Sequence, residues 1–207
     1  MRLCRLLLTL TVVSGTLISC GVSVSHLTGA EQESLTAKNA SIVLLRFAAT
    51  YAGKPINVFD KVSFPDIYIA GGFSILAENI DTGDQVKVVR PSAPTAESAE
   101  AGWVYLLLER GRYHLRVHPG SPLNPVSGRF VLNVPAGGTV IYAGSLPITC
   151  DEVPGTLKTI FSGSQMWGAR CSSPLMVTDE SELAAEIAQH SFVQYGPLAT
   201  ILMLGPQ

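Results

Sequence analysis

The sequence predicts a mainly β protein, an antiparallel β-sandwich with one short C-terminal helix. Three observations carry that expectation. From Ser41 onward the chain breaks into short runs rich in Val, Ile, Leu, Tyr and Phe. Gly, Pro, Asn and Asp punctuate those runs, as turns between strands require. Helical periodicity is clear only near the C-terminus, between Asp179 and His190.

The chain opens with Arg2 and Arg5, an apolar run over 6–18, and the small residue Ser19 before Cys20. That order of a basic, an apolar and a small-residue segment is signal-peptide grammar. The apolar run is shorter than the roughly 20 residues needed to span a bilayer, and polar residues follow it directly. The four residues Leu17-Ile18-Ser19-Cys20 resemble the lipobox of bacterial lipoprotein precursors. This resemblance implies removal of residues 1–19 and lipidation of Cys20, with a diacylglycerol (palmitate-type acyl chains) on its sulfur. It also implies a place in the bacterial cell envelope. Gly21, which is not the aspartate of inner-membrane retention, points to the outer membrane. The competing reading is an ordinary secretory signal in which Cys20 is incidental.

Residues 20–39 are rich in Ser, Thr, Gly, Gln and Glu and read as the lipidated cysteine plus a flexible tether, with a short helix possible over 30–37. Such a chain reaches roughly 20 to 25 Å. Residues 40–207 then form a single domain. Strands are expected at 41–50, 67–70, 73–79, 85–90, 102–109, 112–118, 128–134 and 139–149. Asp81-Thr82-Gly83-Asp84 and Arg110-Gly111 read as hairpin turns, and 91–101, with its Pro, Ser, Ala and Glu, as a surface loop. Segment 151–170 reads as an irregular excursion. In the helix at 179–190, Asp179 and Glu182 suit a capping box, and Leu183, Ala184, Ile187 and Ala188 make one stripe. The apolar run 198–204 reads as a buried strand, with a helical turn or a partner-binding tail as alternatives.

Cleavage would remove two of the 14 basic residues and none of the 16 acidic ones, leaving 12 against 16 and a net charge of −4. A mildly acidic chain argues against nucleic-acid binding, which calls for a basic domain or stripe. Cleavage also removes Cys4, and lipid occupies Cys20, so Cys150 and Cys171 are left to form one disulfide in an oxidising compartment. A free-thiol pair or a two-cysteine metal site is the competing reading.

Gly102-Trp103-Val104-Tyr105-Leu106-Leu107-Leu108, followed by Gly111-Arg112-Tyr113-His114-Leu115-Arg116-Val117, resembles the core of carboxypeptidase-regulatory-like or transthyretin-like sandwiches, an Ig-like architecture. Val134-Pro135-Ala136-Gly137-Gly138 with Ile141-Tyr142-Ala143-Gly144 is similar to the next element in a group of uncharacterised bacterial lipoproteins. The resemblance spans roughly 40–150 and brings no catalytic residues. It implies an adhesion, scaffolding or accessory module.

The most unusual pattern is Arg112, His114, Arg116 and His118, which alternate with Tyr113, Leu115 and Val117. Residues two apart on a strand share a face, so the four form a basic ladder suited to anionic lipid headgroups, lipopolysaccharide phosphates or an acidic partner. Falling pH is expected to add charge to it. The plainer reading is a solvated outer face. His114 and His118 stand about 13 Å apart on a strand, too far to share a metal ion. No G-x-S-x-G elbow, phosphate loop, dinucleotide fingerprint or calcium loop occurs, so no catalytic residue and no cofactor is assigned. The expectation is a non-catalytic structural or protein-interaction module, held to the membrane by its N-terminal lipid and meeting an envelope protein partner. An anionic-ligand or lipid-binding protein is the alternative, and a hydrolase the third.

Overall fold

The computed structural model describes residues 23–24, 27–51, 53–56, 63–64, 67–68, 74–88, 91–118, 128–158, 165–172 and 175–205. The first half of the chain carries β1 (Ser23–Val24), α1 (Gly29–Thr36), β2 (Ala40–Tyr51), β3 (Lys54–Ile56), β4 (Ser63–Phe64), β5 (Ile67–Tyr68), β6 (Ser74–Asn79), β7 (Gln85–Val88) and β8 (Ser92–Ala93). The second half carries α2 (Ala96–Glu100), β9 (Trp103–Glu109), β10 (Gly111–His118), β11 (Phe130–Val134), β12 (Val140–Lys158), β13 (Gln165–Cys171), α3 (Ser181–Ser191) and β14 (Leu198–Thr200).

The protein is mainly β and its strands form two sheets. A small antiparallel sheet runs β11-β10-β6-β7. A large one runs β1-β8-β9-β2-β12-β13-β5-β4, with β3 beside β2 and β14 beside β12. The sandwich core lies between them. Val43, Leu45, Phe47, Leu106 and Ile141 of the large sheet pack against Ile75, Tyr113, Leu115, Phe130 and Leu132 of the small one. Alternate residues of the same large-sheet strands point the other way. Ile42, Leu44, Trp103, Tyr105 and Tyr142 meet Leu35 of α1, Ala184 and Ala188 of α3, and Phe192. The architecture is therefore layered: small sheet, large sheet, helices.

This layering explains a departure from the expected topology. The large sheet is mixed rather than antiparallel, with β2 antiparallel to β9 but parallel to β12. Strands covered on both faces read as continuous apolar runs, and parallel pairing belongs to such sheets. Ile42-Val43-Leu44-Leu45 and Val140-Ile141-Tyr142-Ala143 have that character, and all eight are buried.

Several local expectations change for related reasons. Arg110-Gly111 is a corner between sheets, since β9 pairs with β2 and β8 while β10 pairs with β6 and β11. β9 is buried on both sides while β10 alternates buried and outer residues, so the change of pattern falls at the corner. The expected loop 91–101 holds β8 and α2. Thr95 and Ser98 cap α2 reciprocally, and Ser98 and Ala99 are buried. In 151–170, β12 continues to Lys158 and pairs antiparallel with β13, with one register shift between Val153 and Leu157. The packed domain also takes in part of the expected tether: Thr28 and Glu31 form a full capping box on α1, and Leu35 is buried in the helix layer.

Helix α3 starts at Ser181, and its N-cap is Glu180 without a side-chain cap bond. Asp179 instead accepts the Ser181 N–H at 2.9 Å. Leu183 is exposed, so the buried stripe is narrower than expected: Ala184 and Ala188, with Ile187 packed beside them. The C-terminal run is a strand only over Leu198–Thr200, then crosses to the other sheet. Met203 enters the sandwich core, and Leu204 exchanges backbone hydrogen bonds with Val131 at 2.9 and 3.3 Å. This tail joins the two sheets at one edge.

Candidate functional site

The four residues of the ladder lie on β10 as the alternation requires, with Tyr113, Leu115 and Val117 buried behind them. Neighbouring strands divide the ladder. Arg112 is ion-paired with Asp81 at 2.6 Å, in a turn where Gly83 adopts φ +79°. The pairing holds the Asp81 carboxyl below its usual range and raises the Arg112 guanidinium. His114 stands opposite Glu78 on β6. Arg116 stands opposite Leu76, which is itself opposite Lys87 on β7. His118 stands opposite Ser74, and its Nε2 is buried with no hydrogen-bond partner. Burial, then repulsion from Lys87 and Arg116, lowers its pKa, so His118 stays neutral further into acid than an ordinary histidine. For this member, acid adds less charge than the sequence suggests.

On the opposite layer, a polar network docks α3 on the large sheet. Arg46 interrupts the apolar β2, where a cation needs a partner. Its Nη1 reaches Glu180 Oε1 at 2.8 Å, its Nε donates to the Ala101 carbonyl at 3.0 Å, and its guanidinium lies 5.8 Å from the Trp103 ring centroid. Ser145 Oγ donates to the Glu180 carboxylate and lies 3.1 Å from the Tyr142 hydroxyl. The Tyr142 hydroxyl donates to the Thr178 carbonyl and accepts the Glu180 N–H. Burial, outweighing its hydrogen bonds, raises the Tyr142 pKa. The contacts to Thr178 and Glu180 tie the N-terminus of α3 to β2 and β12, and Arg46 also reaches the end of α2 at Ala101.

Beside the network, α2 and α3 enclose a groove of about 440 Å³ floored by Trp103. Glu97, Leu183, Glu186 and His190 stand along it. A second groove of about 310 Å³ adjoins it and shares Thr95, His190 and Ser191. Sequence reasoning missed this trough because it read 91–101 as a loop and hence saw no second helix to form the wall.

Cys150 and Cys171 are disulfide-bonded, as a directly opposed pair of β12 and β13, and both are buried. Trp103 and Tyr105 pack in the helix layer, Trp103 against Tyr142 and Tyr105 edge-on to Phe192. Cys20 and the leader lie outside the described residues. Among the described residues no group of three or more His, Cys, Asp and Glu side chains is placed to hold a metal ion, and no helix is long and apolar enough to cross a membrane. No protein family, no curated protein and no solved structure matches the chain.

Proposed function

We propose that the protein is a lipid-anchored bacterial cell-envelope protein, held at the outer membrane through Cys20, whose β-sandwich is a non-catalytic structural or protein-interaction module. The observation that carries the reading is the buried disulfide between Cys150 and Cys171. Such bonds form and persist in oxidising compartments, so it agrees with export of the chain, and the lipobox-like Leu17-Ile18-Ser19-Cys20 supplies the means of retention. The trough between α2 and α3 favours the interaction role. It is an open surface with an apolar floor and the carboxylates of Glu97 and Glu186 along it, a form suited to a partner segment.

Labelling cells with palmitate tests the anchor. The wild type is expected to take up label and sediment with membranes, and Cys20→Ala to do neither. A labelled, membrane-retained Cys20→Ala protein overturns the anchor. Crosslinking in intact envelopes tests the module: Leu183→Arg on the trough is expected to abolish a specific crosslinked species while the disulfide and fold remain. If Leu183→Arg leaves that species intact, the trough is not the partner site.

A further inference from the structure

The outer face of the small sheet carries a band of cations that differs from the ladder read on β10 alone. Lys87, Leu76 and Arg116 form one row across β7, β6 and β10. Arg129 directly precedes Phe130, the partner of Leu115, so it continues that row beside Arg116. Three cations thus line up across β7, β6 and β10 and the residue that leads into β11, over about 14 Å at the usual strand spacing. The ion pairs among the described residues are Arg46 with Glu180 and Arg112 with Asp81, so none of the three is neutralised there. The acids on this face lie elsewhere: Glu78 is in the next row opposite His114, and Asp81 is taken by Arg112.

We propose that this face docks on a phosphate-bearing anionic phospholipid surface through Lys87, Arg116 and Arg129, with Leu76 as an apolar contact between the first two. Lys87 and Arg116 stand on β7 and β10 with β6 between them and Arg129 leads into β11 beyond, so the three are spaced along a line and do not converge on a single small anion. A bilayer surface offers many separate phosphates and matches a flat, spaced row. The anchored reading bears on the proposal only in explaining why the domain meets a bilayer. The electrostatic contact does not require Cys20 to be acylated.

The test measures partitioning of the full, unacylated chain onto vesicles of equal parts phosphatidylglycerol and phosphatidylcholine, relative to pure phosphatidylcholine. Each cation near an anionic surface changes partitioning about fivefold, so Lys87→Ala with Arg116→Ala is expected to lower the ratio about 25-fold, less as salt rises. A matched double variant, Lys54→Ala with Arg110→Ala, removes equal charge elsewhere on the exposed surface and is expected to keep the ratio nearly intact. Equal losses in the two doubles, or no loss in the first, overturn the proposal. So does competition by inorganic phosphate beyond that of chloride at matched ionic strength, which reveals a discrete anion site instead. Because the chain here carries no acyl group, failure of this contact is distinguishable from failure of the anchor.

Discussion

The buried hydroxyl of Tyr142 accepts the backbone N–H of Glu180 at 2.8 Å and so fills, from a neighbouring strand, the capping role that no side chain within α3 performs. The helix start is thereby set by the sheet beneath it. Tyr142→Phe removes that acceptor and leaves the Glu180 N–H without its partner. A stability loss of about 1 to 3 kcal/mol in urea is expected. Hydrogen exchange of the α3 amides should accelerate more than that of β10. Unchanged stability and protection would show that the Tyr142 hydroxyl does not help to dock α3.

Removing the disulfide as Cys150→Ala with Cys171→Ala should cost about 3 kcal/mol by the chain-entropy argument, read as a drop in thermal midpoint. Reduction of the wild type should destabilise it in the same direction. The effect should be concentrated in the β12 and β13 pair, which the bond joins directly.

Two glycines with similar φ should respond differently to alanine. Gly102 has φ +82°, and an added Cβ would lie 2.2 Å from the Phe47 carbonyl oxygen, a backbone atom in the core strand β2. Gly83 has φ +79° with open space around it. Gly83→Ala is expected to cost about 1 kcal/mol from the left-handed conformation alone. Gly102→Ala must also displace β2 and should cost at least about 3 kcal/mol. Thermal unfolding of the two variants makes the comparison, and equal losses would refute the close approach.

His118 makes stability pH-dependent in a stated direction. Its folded pKa lies below the reference 6.5 because of burial first and of Lys87 and Arg116 next. As pH falls through about 6.5 the unfolded chain takes up the proton first, so stability begins to drop there. The drop ends below the lowered folded pKa, and the full stability is present above about pH 7. Urea midpoints of wild type and His118→Gln across this range isolate the residue. A wild-type curve parallel to that of the variant would remove His118 as the cause.

Much of the fold was legible locally. The alternation in β10 predicts one buried and one outer face, and it has both. The turn at Gly83 follows from its φ requirement. What escaped was pairing between distant segments: whether β9 meets β10 or β2 depends on contacts that no spacing records. The same gap hid the cation band, because Lys87 and Arg129 join Arg116 only through strand register, and Asp81 removes Arg112 only through the turn that carries it. Arg46 did leave a signal, as a lone cation in an apolar strand, but its partner Glu180 is 134 residues away.

By itself, the sequence determined the β class, the spacing of most strands, the pairing of the last two cysteines and the two-faced character of β10. The class, the strand spacing and the two faces of β10 depend on residue type and short-range periodicity, which the backbone imposes locally, whereas the cysteine pairing followed only from setting Cys4 and Cys20 aside. Tertiary structure decided which strands share a sheet, that the large sheet is mixed and covered on both faces, and which charges are neutralised. The sheet outcomes follow from burial, since apolar strands such as β2 and β12 gain a second covered face only when helices pack on them, and the charge pairing follows from the register and turns that bring the partners together.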